Sequence, residues 1–191
     1  GDDNPNLQIN TIIDRFGAAF RTKGLFVNLP CVREPGVQLS SIDEQRVAML
    51  EERWRRMDAA VVGLGAPPTH SPNLIDELPE EYKVELKRSA ACGDILAHFF
   101  DPMGRLFTAK HGYDLLAFNI LGLHSLRRSI CLAGGNLKAQ GIAAAGLAGF
   151  FSDLITDENT AIRVLEIVRR TKSSDAGAFF HEGGEGRENT K

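Results

Sequence analysis

The residues with most chemical potential lie in CLAGGNLKAQGI, 131–142. An apolar run turns through Gly134 and Gly135, then presents Asn136 and Lys138 before an alanine-rich stretch. Glycines leave backbone N–H groups open to a ligand, a helix start favours an anion, and a lysine adds a full positive charge. Together they could seat a phosphate. Taken alone the pattern is weak, and the same residues could form an ordinary strand-to-helix turn with a solvated lysine. Neither GxxxxGK[ST] nor GxGxxG is present, so the pattern is neither a P-loop nor a dinucleotide fingerprint.

Other residues could join such a site. Asp94, after Gly93, could accept sugar hydroxyls or simply cap a turn. Gln8 and Asn10 lie at the first helix and could bond a ligand or water. Arg33 lies in a loop, and Gly63 and Gly65 close another apolar run. The five histidines and three cysteines are scattered without metal-ligand spacing, so no metal or cofactor is expected. No GxSxG elbow occurs, and no carboxylate has an evident acid–base partner, so no catalytic residue is assigned.

The elements that must position these residues follow from periodicity. Ile9, Ile12, Ile13, Phe16 and Phe20 mark one face of a helix ended by Gly24, and LFVNLP (25–30) reads as a short buried strand. Ser41 and Glu44 suggest a capping box, before a stripe of Val47, Leu50, Trp54 and Met57. AAVVGLG (59–65) reads as a fully buried strand. A helix is expected over 79–90, then two strands joined by a turn at DPMG, and a further strand in YDLLAFNILGL. RSICLAG (128–134) is a buried strand, NLKAQGIAAAGLAGF a small-residue helix and FSDLIT a last strand. Thr156 or Asp157 caps the final helix. Strands alternating with helices predict an α/β fold: a mostly parallel open sheet with helices on both faces. In such a sheet ligands bind at the carboxyl ends of the strands, where loops 31–38, 63–71 and 134–138 emerge.

The chain has 191 residues, 43% hydrophobic and 25% charged, with a net charge of -3. That is enough for one domain with a core, and too acidic to grip nucleic acid unaided. No apolar run approaches a membrane span and no signal peptide is seen. The cysteines are expected to be reduced, in a cytoplasmic protein. Residues 6–172 form the expected domain and 173–191 a flexible tail.

In order, LQINTI (7–12), DAAVVGLG (58–65), ACGDILAHFFDPMGR (91–105), CLAGGNLKAQGI (131–142) and LITDENTAIRVL (154–165) resemble the effector-binding domain of SorC-family bacterial transcriptional regulators. The resemblance implies a fold similar to glucosamine-6-phosphate deaminase and ribose-5-phosphate isomerase, and a sugar or phosphorylated sugar as effector. It implies operator DNA bound through a separate N-terminal helix-turn-helix, and a homo-oligomer. By position it assigns Lys138 to the phosphate, Asp94 to sugar hydroxyls and Gln8 to the ligand. It further implies that the helix-turn-helix and the sensor's first strand, with its phosphate loop, are absent from this sequence. The alternative is an isomerase- or deaminase-like enzyme.

Overall fold

The computed structural model describes residues 9–26, 29, 31–33, 35–70, 78–110 and 112–181, with side chains to Lys172. Helix α1 (Ile9–Ala19) carries the predicted stripe, yet Ile9, Ile12, Phe16 and Phe20 are exposed, and only Gly17 is buried. Gly17 is fitted by contact. A Cβ there would meet the Thr22 carbonyl at 2.8 Å. In the expected strand 25–30, Leu25 and Phe26 are irregular and exposed; Val27, Asn28 and Pro30 lie outside the described residues.

Helix α2 (Ser41–Trp54) begins one residue earlier than the capping box implied. Ser40 is the N-cap, and its hydroxyl accepts from the Asp43 amide at 3.2 Å. Trp54 packs edge-on to Phe118, with ring centroids 6.1 Å apart.

The central sheet is parallel, in the order β2 (Ala59–Gly63), β6 (Arg128–Leu132), β7 (Asp153–Ile155). Apolar runs ending in glycine placed β2 and β6 correctly, and the short run FSDLIT placed β7. Their burial differs from expectation. Val62 and Cys131 point into the core, while Val61, Leu132 and Ile155 are exposed on the other face. Strand alternation sends neighbouring side chains to opposite faces, and among the described residues only one face is well covered.

Helices α4 (Ala139–Leu147) and α5 (Glu158–His181) cover the inner face. The small residues of α4 allow backbone-to-backbone approach. A Cβ on Gly141 would meet the Cys92 carbonyl at 2.8 Å. Asp157 caps α5, accepting from the Thr160 amide at 2.9 Å. The helix continues past Lys172 to His181.

Two antiparallel ribbons flank the sheet. β1 (Val32–Arg33) pairs with β5 (Asp114–Leu115), the part of YDLLAFNILGL that is extended; Ile120–Ser125 is a 3-10 turn instead. β3 (Gly93–Ile95) pairs with β4 (His98–Phe100), and they are joined at Leu96-Ala97 rather than at DPMG. DPMG instead turns the chain after β4 so that Leu106 bridges Phe100. Asp101 holds that turn, accepting from the amides of Met103 and Arg105 and pairing with the Arg105 guanidinium at 2.7 Å. Beneath helix α3 (Glu80–Arg88), Leu86 and Phe99 form a second core with Leu78.

Candidate functional site

The carboxyl ends of β2 and β6 lie side by side, Gly63 opposite Leu132. Gly63 opens into space, with nothing within 4 Å of where a Cβ would stand. Two residues on, the Gly65 amide donates to the Asp94 carbonyl at 2.9 Å, which ties the β3–β4 hairpin to the end of β2. A Cβ on Gly65 would overlap Asp94 Oδ1. A side chain at position 65 would have to displace the Asp94 carboxylate.

Asp94 is 6% exposed, the one carboxylate among the described buried residues. Its Oδ1 is buried and has no hydrogen-bond partner. Burial pushes its carboxyl up to about 6, against the Ala97 amide and the Lys138 charge, which lower it. Lys138 is half-buried in the 3-10 turn Asn136–Lys138, within electrostatic reach of both Asp94 and the Cys131 thiol. Among the described residues the lysine and Asp94 do not form an ion pair. Burial likewise raises Cys131 and Cys92 to about 11, so both thiols stay protonated at neutral pH and are not nucleophiles.

The glycine turn is built differently from a simple amide cradle. Gly135 has φ 100°, a conformation that favours glycine. Its amide donates to Thr160 Oγ1 at 2.7 Å and to Asp157 Oδ2 at 3.2 Å. Thr160 in turn donates to Asp157 at 2.6 Å. Gly134 sits so close that a Cβ would meet Asp157 Oδ2 at 2.6 Å. These bonds hold Asp157 well below the usual carboxylate range, so a negative charge stands on the α5 side of the turn. The positive charge, Lys138, lies on the Asp94 side. Thr160 was not singled out in the sequence; its signal was its place three residues after a candidate cap. Thr160→Val keeps the shape but removes these bonds. It should destabilise the chain by about 1–2 kcal/mol in chemical denaturation, as expected when a buried hydroxyl and the bonds it makes to the Gly135 amide and Asp157 are lost.

The structure thus brings together Asp94, Gly65, Gly63 and Lys138, with Gly134 and Gly135 shaping the adjoining turn. Arg33 lies on β1, opposite Asp114 of β5. Its neighbour Val32 packs into the second core, and the buried Nε of Arg33 has no hydrogen-bond partner. Gln8 lies outside the described residues; Asn10 is exposed on α1. Among the described residues no group of His, Cys, Asp and Glu could hold a metal, and no helix is long and apolar enough to cross a membrane.

A parallel sheet with a charged cluster at its carboxyl ends defines a ligand-binding α/β domain. Residues 1–166 match the family described as "Putative sugar-binding domain", and the chain belongs to that family. It is similar to the transcriptional regulator LsrR of Escherichia coli, 33% identical over 112 residues, 56% of this chain and 35% of LsrR. It is also similar to the sorbitol operon regulator of Klebsiella pneumoniae, 24% identical over 160 residues, covering 83% of this chain and 51% of that protein. A crystal structure of a transcriptional regulator from Streptococcus pneumoniae superposes with a TM-score of 0.73 at 27% identity, covering 87% of this chain and 64% of the other. The chain spans about a third to a half of the length of these curated relatives. The SorC-type resemblance of the motifs and the α/β fold agree with these matches.

Proposed function

We propose that this chain is the effector-sensing domain of a cytoplasmic bacterial transcriptional regulator and that its ligand is a phosphorylated sugar. The observation that carries the reading is a buried carboxylate, one of whose oxygens has no partner, within electrostatic reach of a lysine at the carboxyl ends of parallel strands. A buried carboxylate oxygen without a partner is costly unless something satisfies it. A sugar hydroxyl donating to Asp94 Oδ1 would do so. Lys138 then balances the phosphate, and Gly63, Gly65, Gly134 and Gly135 keep the floor free of side chains. Gln8 and Arg33 are secondary contacts in this reading. Residues 6–172 act as the sensor. Operator DNA is bound through a separate helix-turn-helix, and the regulator works as a homo-oligomer.

The role is binding without chemistry. An aldose–ketose isomerase needs a placed base and a second acid beside the sugar. Among the described buried residues Asp94 has no second carboxylate beside it. The test is a thermal-shift panel of glucose, fructose, ribose and deoxyribose phosphates, the free sugars and inorganic phosphate. A ligand that binds only the folded chain raises its melting temperature. The expected result is a rise with one sugar phosphate beyond that given by inorganic phosphate, and no product formed. A flat panel, or turnover of the sugar, contradicts the proposal.

A further inference from the structure

Tyr82, on α3, was not among the residues the sequence singled out; in PEEYKVELKR it reads as part of a helix. In the β3–β4 hairpin Asp94 lies directly opposite Phe99. Cross-strand partners share a face, so Asp94 is on the Phe99 side of the hairpin. Phe99 packs in the second core, against which Tyr82, Val32, Ala91 and Phe107 are also packed. The Tyr82 ring is held edge-on by Phe107 (5.6 Å) and Tyr113 (4.7 Å). Helix α3 and the Phe107 and Tyr113 rings therefore fix a phenol on the same side of the hairpin as the unpartnered Asp94 oxygen. No hydrogen bond to the Tyr82 hydroxyl is found among the described residues. Tyr82 is partly buried and its hydroxyl is not among the buried unsatisfied polar atoms, so the ring is packed while the hydroxyl stays accessible to a ligand.

We infer that the Tyr82 hydroxyl is a specificity-determining contact of the effector site and meets a sugar hydroxyl beside Asp94. The inference rests on the phosphorylated-sugar reading above. The division of labour is chemical. An ionised carboxylate only accepts, so the sugar hydroxyl donates its hydrogen bond to Asp94; the phenol donates to that oxygen or a neighbouring one. Burial, together with the nearby Tyr113, Asp94, Cys31 and Glu85, pushes the phenol up to about 12, so it remains a donor throughout the physiological range. Such a pair recognises the hydroxylated part of the ligand and is indifferent to the phosphate, which belongs to Lys138. An analogue lacking that hydroxyl would leave both groups unpaired, the arrangement that discriminates most strongly.

The test is calorimetric titration of the 191-residue chain and of Tyr82→Phe. The ligands are ribose 5-phosphate, 2-deoxyribose 5-phosphate, glucose 6-phosphate, fructose 6-phosphate and inorganic phosphate. The substitution keeps the ring and its edge contacts, and an unchanged ligand-free melting temperature checks that. The expected result is that the tightest sugar phosphate weakens by about three- to ten-fold, as for one neutral hydrogen bond, while inorganic phosphate binds unchanged. Unchanged sugar-phosphate affinity overturns the Tyr82 contact but leaves the site standing. So does an equal loss for sugar phosphate and inorganic phosphate, or a lowered ligand-free melting temperature accounting for the loss. A parent chain that binds no sugar phosphate overturns the reading of the site, and the Tyr82 contact with it.

Discussion

Asp94→Asn should raise the melting temperature at pH 7 by roughly 6–12 °C and weaken sugar-phosphate binding by tenfold or more. Both effects have one cause. In the unfolded chain the carboxyl ionises near 3.8; buried beside Gly65 it ionises near 6. Between those values the folded chain holds a proton that the unfolded chain has released. Stability therefore falls as pH rises from about 4 to about 6, and above 6 the whole penalty persists, about 3 kcal/mol. Asparagine fits the same space, can accept from the Ala97 amide through its carbonyl and does not titrate. Parent and variant should thus melt alike near pH 4 and diverge toward pH 7. The binding loss follows because an amide oxygen is a weaker acceptor than a carboxylate. Melting curves of both chains from pH 4 to 8 check the first half, and calorimetry at pH 7 the second. If the variant is no more stable at pH 7, the carboxylate is not the source of strain described here.

Lys138→Ala is the second large effect. The lysine is half-buried, with no ion pair among the described residues, so its removal leaves the core intact. Its loss should weaken a sugar phosphate by about 1.5–3 kcal/mol, roughly 10–150-fold, the range for a hydrogen bond to a charged group. The unphosphorylated sugar should bind equally to both chains. Removing the lysine also removes a charge that holds Asp94 down, so its carboxyl moves further up in the variant. Equal affinity of the two chains for the sugar phosphate sinks the assignment of Lys138 to the phosphate.

Much of this arrangement could be read before any coordinates, for physical reasons that differ by element. β2 and β6 were legible because apolar runs ending in glycine are hard to place elsewhere, and β7 because the short run DLI ends at the cap of the last helix. What covers them was not: Val61 and Leu132 are as apolar as Val62 and Cys131, and hydrophobicity alone does not say which face meets a partner layer. The β3–β4 turn was misplaced because DPMG carries turn residues, whereas Leu96 and Ala97 carry none. The chain turns there with φ of 54° and 60°, positive at both positions, as a two-residue hairpin requires. Tertiary fit decides it, since Ile95 is fully buried on one side of the turn and Phe99 and Phe100 on the other.

At the site, Asp94, Gly65 and Lys138 stood out by residue type, and the hairpin bridge between Gly65 and Asp94 is what joins them. The use of the Gly135 amide was not legible, because its partner Thr160 lies 25 residues away on another element. Tyr82 was hidden for a similar reason. Its relation to Asp94 runs through a strand register, which no local pattern encodes.

The most direct test is to titrate the isotope-labelled chain with the sugar phosphate that stabilises it most and follow the backbone amides by two-dimensional NMR. The account predicts shifts concentrated at Gly63–Gly65, Gly93–Ala97 and Gly134–Ala139, with inorganic phosphate reproducing only those around Lys138. Shifts centred elsewhere, or none at saturating ligand, would contradict the claim that Asp94 and Lys138 hold a phosphorylated sugar.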